Sequence, residues 1–200
     1  MDIVQQILLM LLLVGISAFF SLSEISIAAS RKARLSVLAD EGHPAAVRVL
    51  ALQAQPGPFF TLVQIGLNAV AIMGGIVGDE AFSPWLARLL RPLVPAEHLD
   101  TLAFALSFTL VTSLFILFAD LMPKRLGMAA PEKLAMAVAA PMSFLIRWLR
   151  PILWIYNEAA NGLFRLLGLP TVRNDTMTPD EINNRAVLAT MIFFNMILSL

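Results

Sequence analysis

The feature that most constrains this chain is the apolar run over residues 3–29. As a helix rising about 1.5 Å per residue, it exceeds the roughly 30 Å hydrocarbon core of a bilayer, which predicts a membrane-spanning segment. Its second half is interrupted by Ser17, Ser21, Ser23, Glu24 and Ser26. Ser17, Ser21 and Glu24 follow at i, i+4 and i+7, which places two hydroxyls and a carboxylate on one helical face. A carboxylic acid at the centre of a span costs on the order of 2.5 kcal/mol or more, and less near an end, so it turns toward protein or a wet cavity.

Composition agrees with a life in lipid. The chain is 58% hydrophobic and only 14% charged, against roughly 25% charged in a typical soluble domain. Its formal net charge is zero, so no nucleic-acid partner is expected. Without cysteine it has no disulfide framework, thiolate metal site or thiol nucleophile. The opening Met1-Asp2-Ile3-Val4-Gln5-Gln6 lacks the basic region of a cleaved signal peptide, so the first span is expected to be retained.

Taken in order, Ser30-Arg31-Lys32-Ala33-Arg34 precedes helical periodicity over residues 35–55 with a break at Gly42-His43-Pro44, which predicts two short amphipathic helices at the membrane surface. A second span is expected over residues 59–77, with Gly74, Gly75 and Gly78 allowing close helix approach. Residues 78–100 contain four acidic residues, two basic residues and three prolines. They read as an exposed loop with an interfacial segment at 85–90, in which Asp79 and Glu80 are solvated charges or, alternatively, a cation exit funnel. A third span is expected over residues 101–122, ended by Pro123-Lys124-Arg125.

Basic residues set the orientation. Arg31, Lys32, Arg34 and Arg48, then Lys124, Arg125 and Lys133, mark their ends of the spans as cytoplasmic. The N-terminus is then expected on the outer side and the C-terminus in the cytoplasm, in a multi-pass membrane protein. Over residues 131–168, Pro141, Arg147, Arg150, Pro151, Glu158 and Arg165 interrupt each apolar run, and Trp148, Trp154 and Tyr156 are interleaved. A helix lying in the interface is favoured there; a fourth span and a re-entrant hairpin are the alternatives. Residues 1–170 are thus expected to form the membrane domain. Residues 171–185 form a linker and the start of a soluble helix capped at Thr178-Pro179-Asp180-Glu181. Residues 186–200 form an apolar tail without an evident role.

With that orientation, Glu24, the group Thr61, Gln64 and Asn68, and the pair Ser113 and Asp120 fall at similar depth, where one inward-facing cavity would gather them. Thr61, Gln64 and Asn68 are spaced i, i+3, i+7, and Ser113 and Asp120 are i, i+7. Hydroxyls, amide carbonyls and carboxylates offer hard oxygen atoms, which suit a small cation such as Mg²⁺ or the hydrogens of ammonium groups. His43 and His98 read as loop residues on opposite sides, so transition-metal binding is not expected. Structural readings stand beside these: the serines as interhelical packing residues, Glu24 reaching the headgroups, and Asp120 paired with Lys124 or Arg125.

These residues carry a family resemblance. Ala18-Phe19-Phe20-Ser21-Leu22-Ser23-Glu24-Ile25, the stretch Val63-Gln64-Ile65-Gly66-Leu67-Asn68-Ala69-Val70-Ala71, and Asp120 followed by Pro123-Lys124-Arg125-Leu126-Gly127 resemble the membrane domain of the CNNM/CorC (DUF21) family of cation transporters. Gly74-Gly75-Ile76-Val77-Gly78-Asp79 and Phe118-Ala119-Asp120-Leu121-Met122-Pro123-Lys124 are similar to a bacterial polyamine-export branch of it. In much of the family a Gly-Glu pair stands where this chain has Ala119-Asp120. The resemblance implies an all-α homodimer of three-span subunits with an interfacial belt helix. It also implies a cation site built from first-span serines, the Asn68 region and the third-span acid, with Ser21, Glu24, Asn68 and Asp120 as ligands if the cargo is Mg²⁺. CBS and CorC/HlyC domains would follow the membrane part, and from about Asn183 this sequence departs from the linker expected there.

The function expected is therefore secondary export of a cation, with putrescine or cadaverine favoured and Mg²⁺ or Co²⁺ the alternative. A non-transporting membrane cation sensor is a third reading. No resident cofactor is expected. No zincin His-Glu-x-x-His and no Gly-x-Ser-x-Gly elbow occurs, so an enzyme is not expected.

Overall fold

The computed structural model describes residues 3–167, and the described residues are helical with no strand. The first apolar run forms one unbroken helix, α1 (Ile3–Ala29). Its C-terminal end is capped by the side chain of Gln53, whose Nε2 donates to the carbonyl oxygens of Ile27 and, just past the helix, Ser30 at 2.8 and 2.9 Å. These acceptors have no partner within their own helix, so a side chain from another element satisfies them. Two short helices follow, α2 (Lys32–Asp40) and α3 (Pro44–Ala54). The turn between them needs Gly42, at φ 91°, and Pro44 starts α3 where its missing N–H removes no bond.

Helix α4 (Pro56–Leu90) corrects the expected second span and the loop after it. The helix does not stop at residue 77; it continues through Gly78, Asp79, Glu80 and Pro84. Gly74 and Gly78 do not end it; they serve close packing against α5 (Ala96–Leu114) and the residue that follows it. A Cβ on Gly74 would run into the Phe115 ring and one on Gly78 into the Val111 side chain. His98 accordingly lies in the first turn of α5, not in a loop.

The third span also outruns its expected end. It passes from α5 through a π-helical segment, Phe115–Leu121, into α6 (Met122–Ala129). Proline at 123 can donate no hydrogen bond, and its ring crowds the carbonyl four residues back. The wider π turn, in which the Met122 N–H reaches back five residues to Leu117, absorbs that defect without ending the helix. Among the described residues, the three single helices long and apolar enough to cross a membrane are Ile3–Ala29, Pro56–Leu90 and Ala96–Ala129.

Residues 131–166 form two helices where one was expected, α7 (Pro131–Trp148) and α8 (Arg150–Leu166), bent by 76°, a pair that by length and composition also fits a broken span or a re-entrant turn. Leu149 leaves the helical path at φ −90° and ψ 8°, and Pro151 falls in the first turn of α8, where proline is tolerated. Pro141 does not interrupt α7. Residues through Ala160 form one compact unit, and Asn161 begins a second. Within the first unit α1 packs against α4, α6 and α7, and α3 against α7. The core includes Phe20, Ile27, Val49, Phe59, Leu62, Val63, Ala139 and Met142. The helix start expected at Thr178 and the apolar tail at 186–200 lie outside the described residues.

Candidate functional site

The site is built where α1 meets the π turn and α6. Gly127 permits that approach, because a Cβ there would strike the Ile25 side chain and press on the α1 backbone at Ser26. Asp120, in the π turn, is brought against the polar face of α1. The fully buried Ser21 hydroxyl lies 2.8 Å from Asp120 Oδ1 and 3.1 Å from the Asp120 carbonyl oxygen, so its one hydrogen is shared between two acceptors.

Lys124 completes the arrangement. Its ammonium sits 2.8 Å from Asp120 Oδ1, one turn back on its own helix, and 3.7 Å from Glu24 Oε2 on α1. Two carboxylates from different spans thus converge on one primary ammonium. Pairing of Asp120 with Lys124 was one of the structural readings of the sequence; Glu24 as a second partner of the same ammonium was not foreseen. The legible signal was Asp120, Lys124 and Gly127 at i, i+4 and i+7, a single face of a continuing helix.

Beside this centre a groove of about 870 Å³ runs along α4 and α5. Ser17, Asn68 and Asp120 line one end, and Asp79 and Glu80 line it as well, further along α4. Between them the wall is apolar, with Leu67, Ala71, Ile72, Ile76, Phe108, Phe115 and Ile116. Gly75 lines the groove without touching another element, whereas Gly74 packs against Phe115. Asp79 and Glu80, read as charges of a solvated loop, are helical residues of the groove instead.

The remaining sequence-predicted residues lie elsewhere. Ser23 is fully buried, and its hydroxyl donates to the Phe19 carbonyl at 2.7 Å within α1. Thr61 turns to α8, with its hydroxyl 2.9 Å from both the Gly57 carbonyl and Asn157 Oδ1. Gln64 is exposed outside the groove. Ser113 is exposed too, and its hydroxyl donates to the Thr109 carbonyl at 2.7 Å. The structure therefore joins Ser21, Glu24 and Asp120 through hydrogen bonds and ion pairs, sets Ser17 and Asn68 on the groove that Asp120 also lines, and leaves Ser23, Thr61, Gln64 and Ser113 apart.

A tighter metal cage is not present: among the described residues no group of three or more His, Cys, Asp or Glu side chains converges. Two carboxylates, one of them fixed by the Ser21 hydroxyl, hold the Lys124 ammonium, and a long groove with an apolar wall lies beside them.

The comparisons with known proteins agree with this architecture. The family model described as the cyclin M transmembrane N-terminal domain, CNNM, matches residues 7–191. The polyamine export protein of Salmonella typhimurium is 54% identical over 178 residues, which are 89% of this chain and 40% of that protein. Its namesake in Haemophilus influenzae is 42% identical over 182 residues, 91% of this chain and 42% of that protein. An uncharacterized protein of Mycobacterium tuberculosis is 35% identical over 171 residues, 84% of this chain and 48% of its own length. The chain spans about two fifths of the length of the polyamine export proteins it matches. A multi-pass bundle of three apolar helices, a π turn carrying an acid against the serine face of the first helix, and a match over most of the sequence together make this chain a member of the CNNM family.

Proposed function

We propose that this chain is the membrane part of a secondary transporter that exports polyamines, among them putrescine and cadaverine, from the bacterial cytoplasm. The observation that carries the reading is Lys124, a primary ammonium seated between Asp120 and Glu24. An alkylammonium cargo presents the same group to the same oxygens. The apolar wall of the groove suits the methylene chain that follows, as the body of a ligand site is commonly apolar with a few placed polar groups. The names of the Salmonella and Haemophilus relatives support the same cargo class.

In this mechanism a cargo ammonium displaces Lys124 from Asp120 and Glu24, with Ser21 holding the Asp120 carboxylate in place. Freed Lys124 returns when the cargo leaves, which restores charge balance in a low-dielectric site. Arg31, Arg34 and Lys133 lie near the same end of the bundle and line one pocket, which supports a cytoplasmic assignment for that end. The family resemblance also carries a homodimer.

Mg²⁺ or Co²⁺ is the second reading, favoured by the all-oxygen donor set of Ser21, Glu24, Asn68 and Asp120. Calorimetric titration of the protein in nanodiscs with putrescine and with Mg²⁺, each in competition with the other, separates them. Putrescine binding that is lost in Asp120→Asn and Glu24→Gln while both variants remain folded supports the polyamine reading. Binding of Mg²⁺ alone overturns it. Counterflow of labelled putrescine in proteoliposomes then distinguishes a transporter from a sensor, which binds without moving its ligand.

A further inference from the structure

A second cavity, of about 570 Å³, lies between the end of α1, the start of α2 and the junction of α6 with α7. That volume falls within the roughly 300–1,000 Å³ of small-ligand sites. Two spans fix its depth: Ala29 ends α1, Ala129 ends the third span, and both line the cavity. With 27 residues, α1 is about 40 Å long. It therefore crosses the hydrocarbon core of roughly 30 Å and ends among the headgroups. The cavity stands at the level of lipid phosphates.

Arg31, Arg34 and Lys133 line it, together with one acid, Glu132. Glu132 is buried, and its carboxylate lies 3.3 Å from Arg31 Nε and 3.9 Å from Arg34 Nη1. The first contact is a hydrogen bond that commits one N–H of that guanidinium; the second is an ion pair too long to be one. Both guanidinium groups are thus tethered at the cavity with most of their donors uncommitted. Lys133 is exposed and enters no ion pair among the described residues. Three cations against one anion leave a positive surplus over a lining that is otherwise apolar, with Leu38 and Met136. The bias of basic residues toward one side of a membrane accounts for cations at this end. It does not account for three of them around one cavity with a buried acid holding two in place.

We propose that this cavity binds the phosphate of an anionic phospholipid from the leaflet at that end of the bundle. The anionic oxygens of a phosphodiester accept from the planar donors of Arg31 and Arg34, and Lys133 adds a point charge. Basic pockets between spans at a membrane surface take anionic headgroups in this way. A zwitterionic headgroup brings its own ammonium into a cavity already in positive surplus, so the site discriminates against it. Leu38 and Met136 offer apolar surface to the glycerol and the first methylenes. The occupant joins the end of α1, the helix of Glu24, to the start of α7. The inference is independent of which cation the centre at Lys124 carries.

Native mass spectrometry of the protein in a neutral detergent, titrated separately with phosphatidylglycerol, phosphatidylethanolamine and soluble glycerol phosphate, is the test. The unaltered protein should retain phosphatidylglycerol in preference to the other two. Arg34→Gln with Lys133→Gln should weaken that lipid by about tenfold or more, through loss of two charge-assisted contacts. Arg31 remains on Glu132 in that variant. Arg48→Gln with Arg125→Gln removes as many cations from the same end but outside the cavity, and should change binding by less than about twofold. Lys133→Gln alone breaks no ion pair and decides the matter if the first double variant does not fold: weakening of about threefold or more supports the site, and unchanged binding overturns it. Equal retention of the two lipids, equal weakening in the two double variants, or glycerol phosphate bound as tightly as the lipid also overturns it. The last outcome would make the cavity a site for a soluble anion.

Discussion

Lys124 Nζ and Asp120 Oδ1 are 2.8 Å apart across one turn of a helix that has just passed through a π segment. The same ammonium reaches Glu24 on another span at 3.7 Å. The pair is partly exposed: the Asp120 side chain is 46% exposed and that of Lys124 34%. An ion pair so exposed is weakly held, as the proposed displacement by an incoming cation requires.

Lys124→Met removes the internal competitor and keeps the length of the side chain. Putrescine should then bind more tightly, by about threefold to tenfold, because the cargo no longer displaces a tethered ammonium worth roughly 1 kcal/mol. Titration of the variant against the unaltered protein measures it. Unchanged or weaker binding would remove Lys124 from the role of competitor.

Gly74→Ala places a methyl group into the Phe115 ring. Overpacking of this kind costs about 1–3 kcal/mol, so the melting temperature in detergent should fall. Phe115→Leu in the same chain should restore most of the loss by vacating the space. A double variant as unstable as Gly74→Ala alone would show that the contact does not limit the approach of α4 to α5.

Gln53→Met should destabilise the fold by about 1–2 kcal/mol, since two hydrogen bonds to the end of α1 disappear together. Hydrogen exchange supplies the local readout: the amides of residues 27–34 should lose protection before those of the α1 centre. Uniform loss along α1 would argue against a capping role.

Glu132 gives a pH dependence outside the spans. Its carboxyl is held below the ordinary value of 4.5, first by its own backbone N–H at the start of α7 and then by Arg31, whose Nε lies 3.3 Å away; burial opposes both. Its stabilising contribution is complete above the ordinary carboxylate value and is lost as the pH falls from there through the lowered folded value. The gap in melting temperature between the unaltered protein and Glu132→Gln should stay constant from neutral pH down to about that ordinary value. It should close in more acidic buffer; a gap that instead widens on acidification would contradict the pairing.

The resemblance of the motif stretches and the length of the apolar runs were enough to place this chain in its family and to find three spans, because lipid leaves the backbone few choices and long apolar helices are legible without tertiary context. The acid and serine positions Ser21, Glu24 and Asp120 were legible for the same reason: a polar residue in such a run stands out. Helix ends and partners were not. Gly78 and Pro123 read as stops, yet the close seat of Val111 against Gly78 and the π turn before Pro123 carry the helices onward. That continuation is what makes Asp79 a groove residue and brings Lys124 to Glu24. Thr61 and Asn68 occupy one helical face, but α8 presents Asn157 to Thr61 while Asn68 is left at the groove. Periodicity specifies which residues share a face; which neighbour that face meets is decided by the packing of segments distant in the chain.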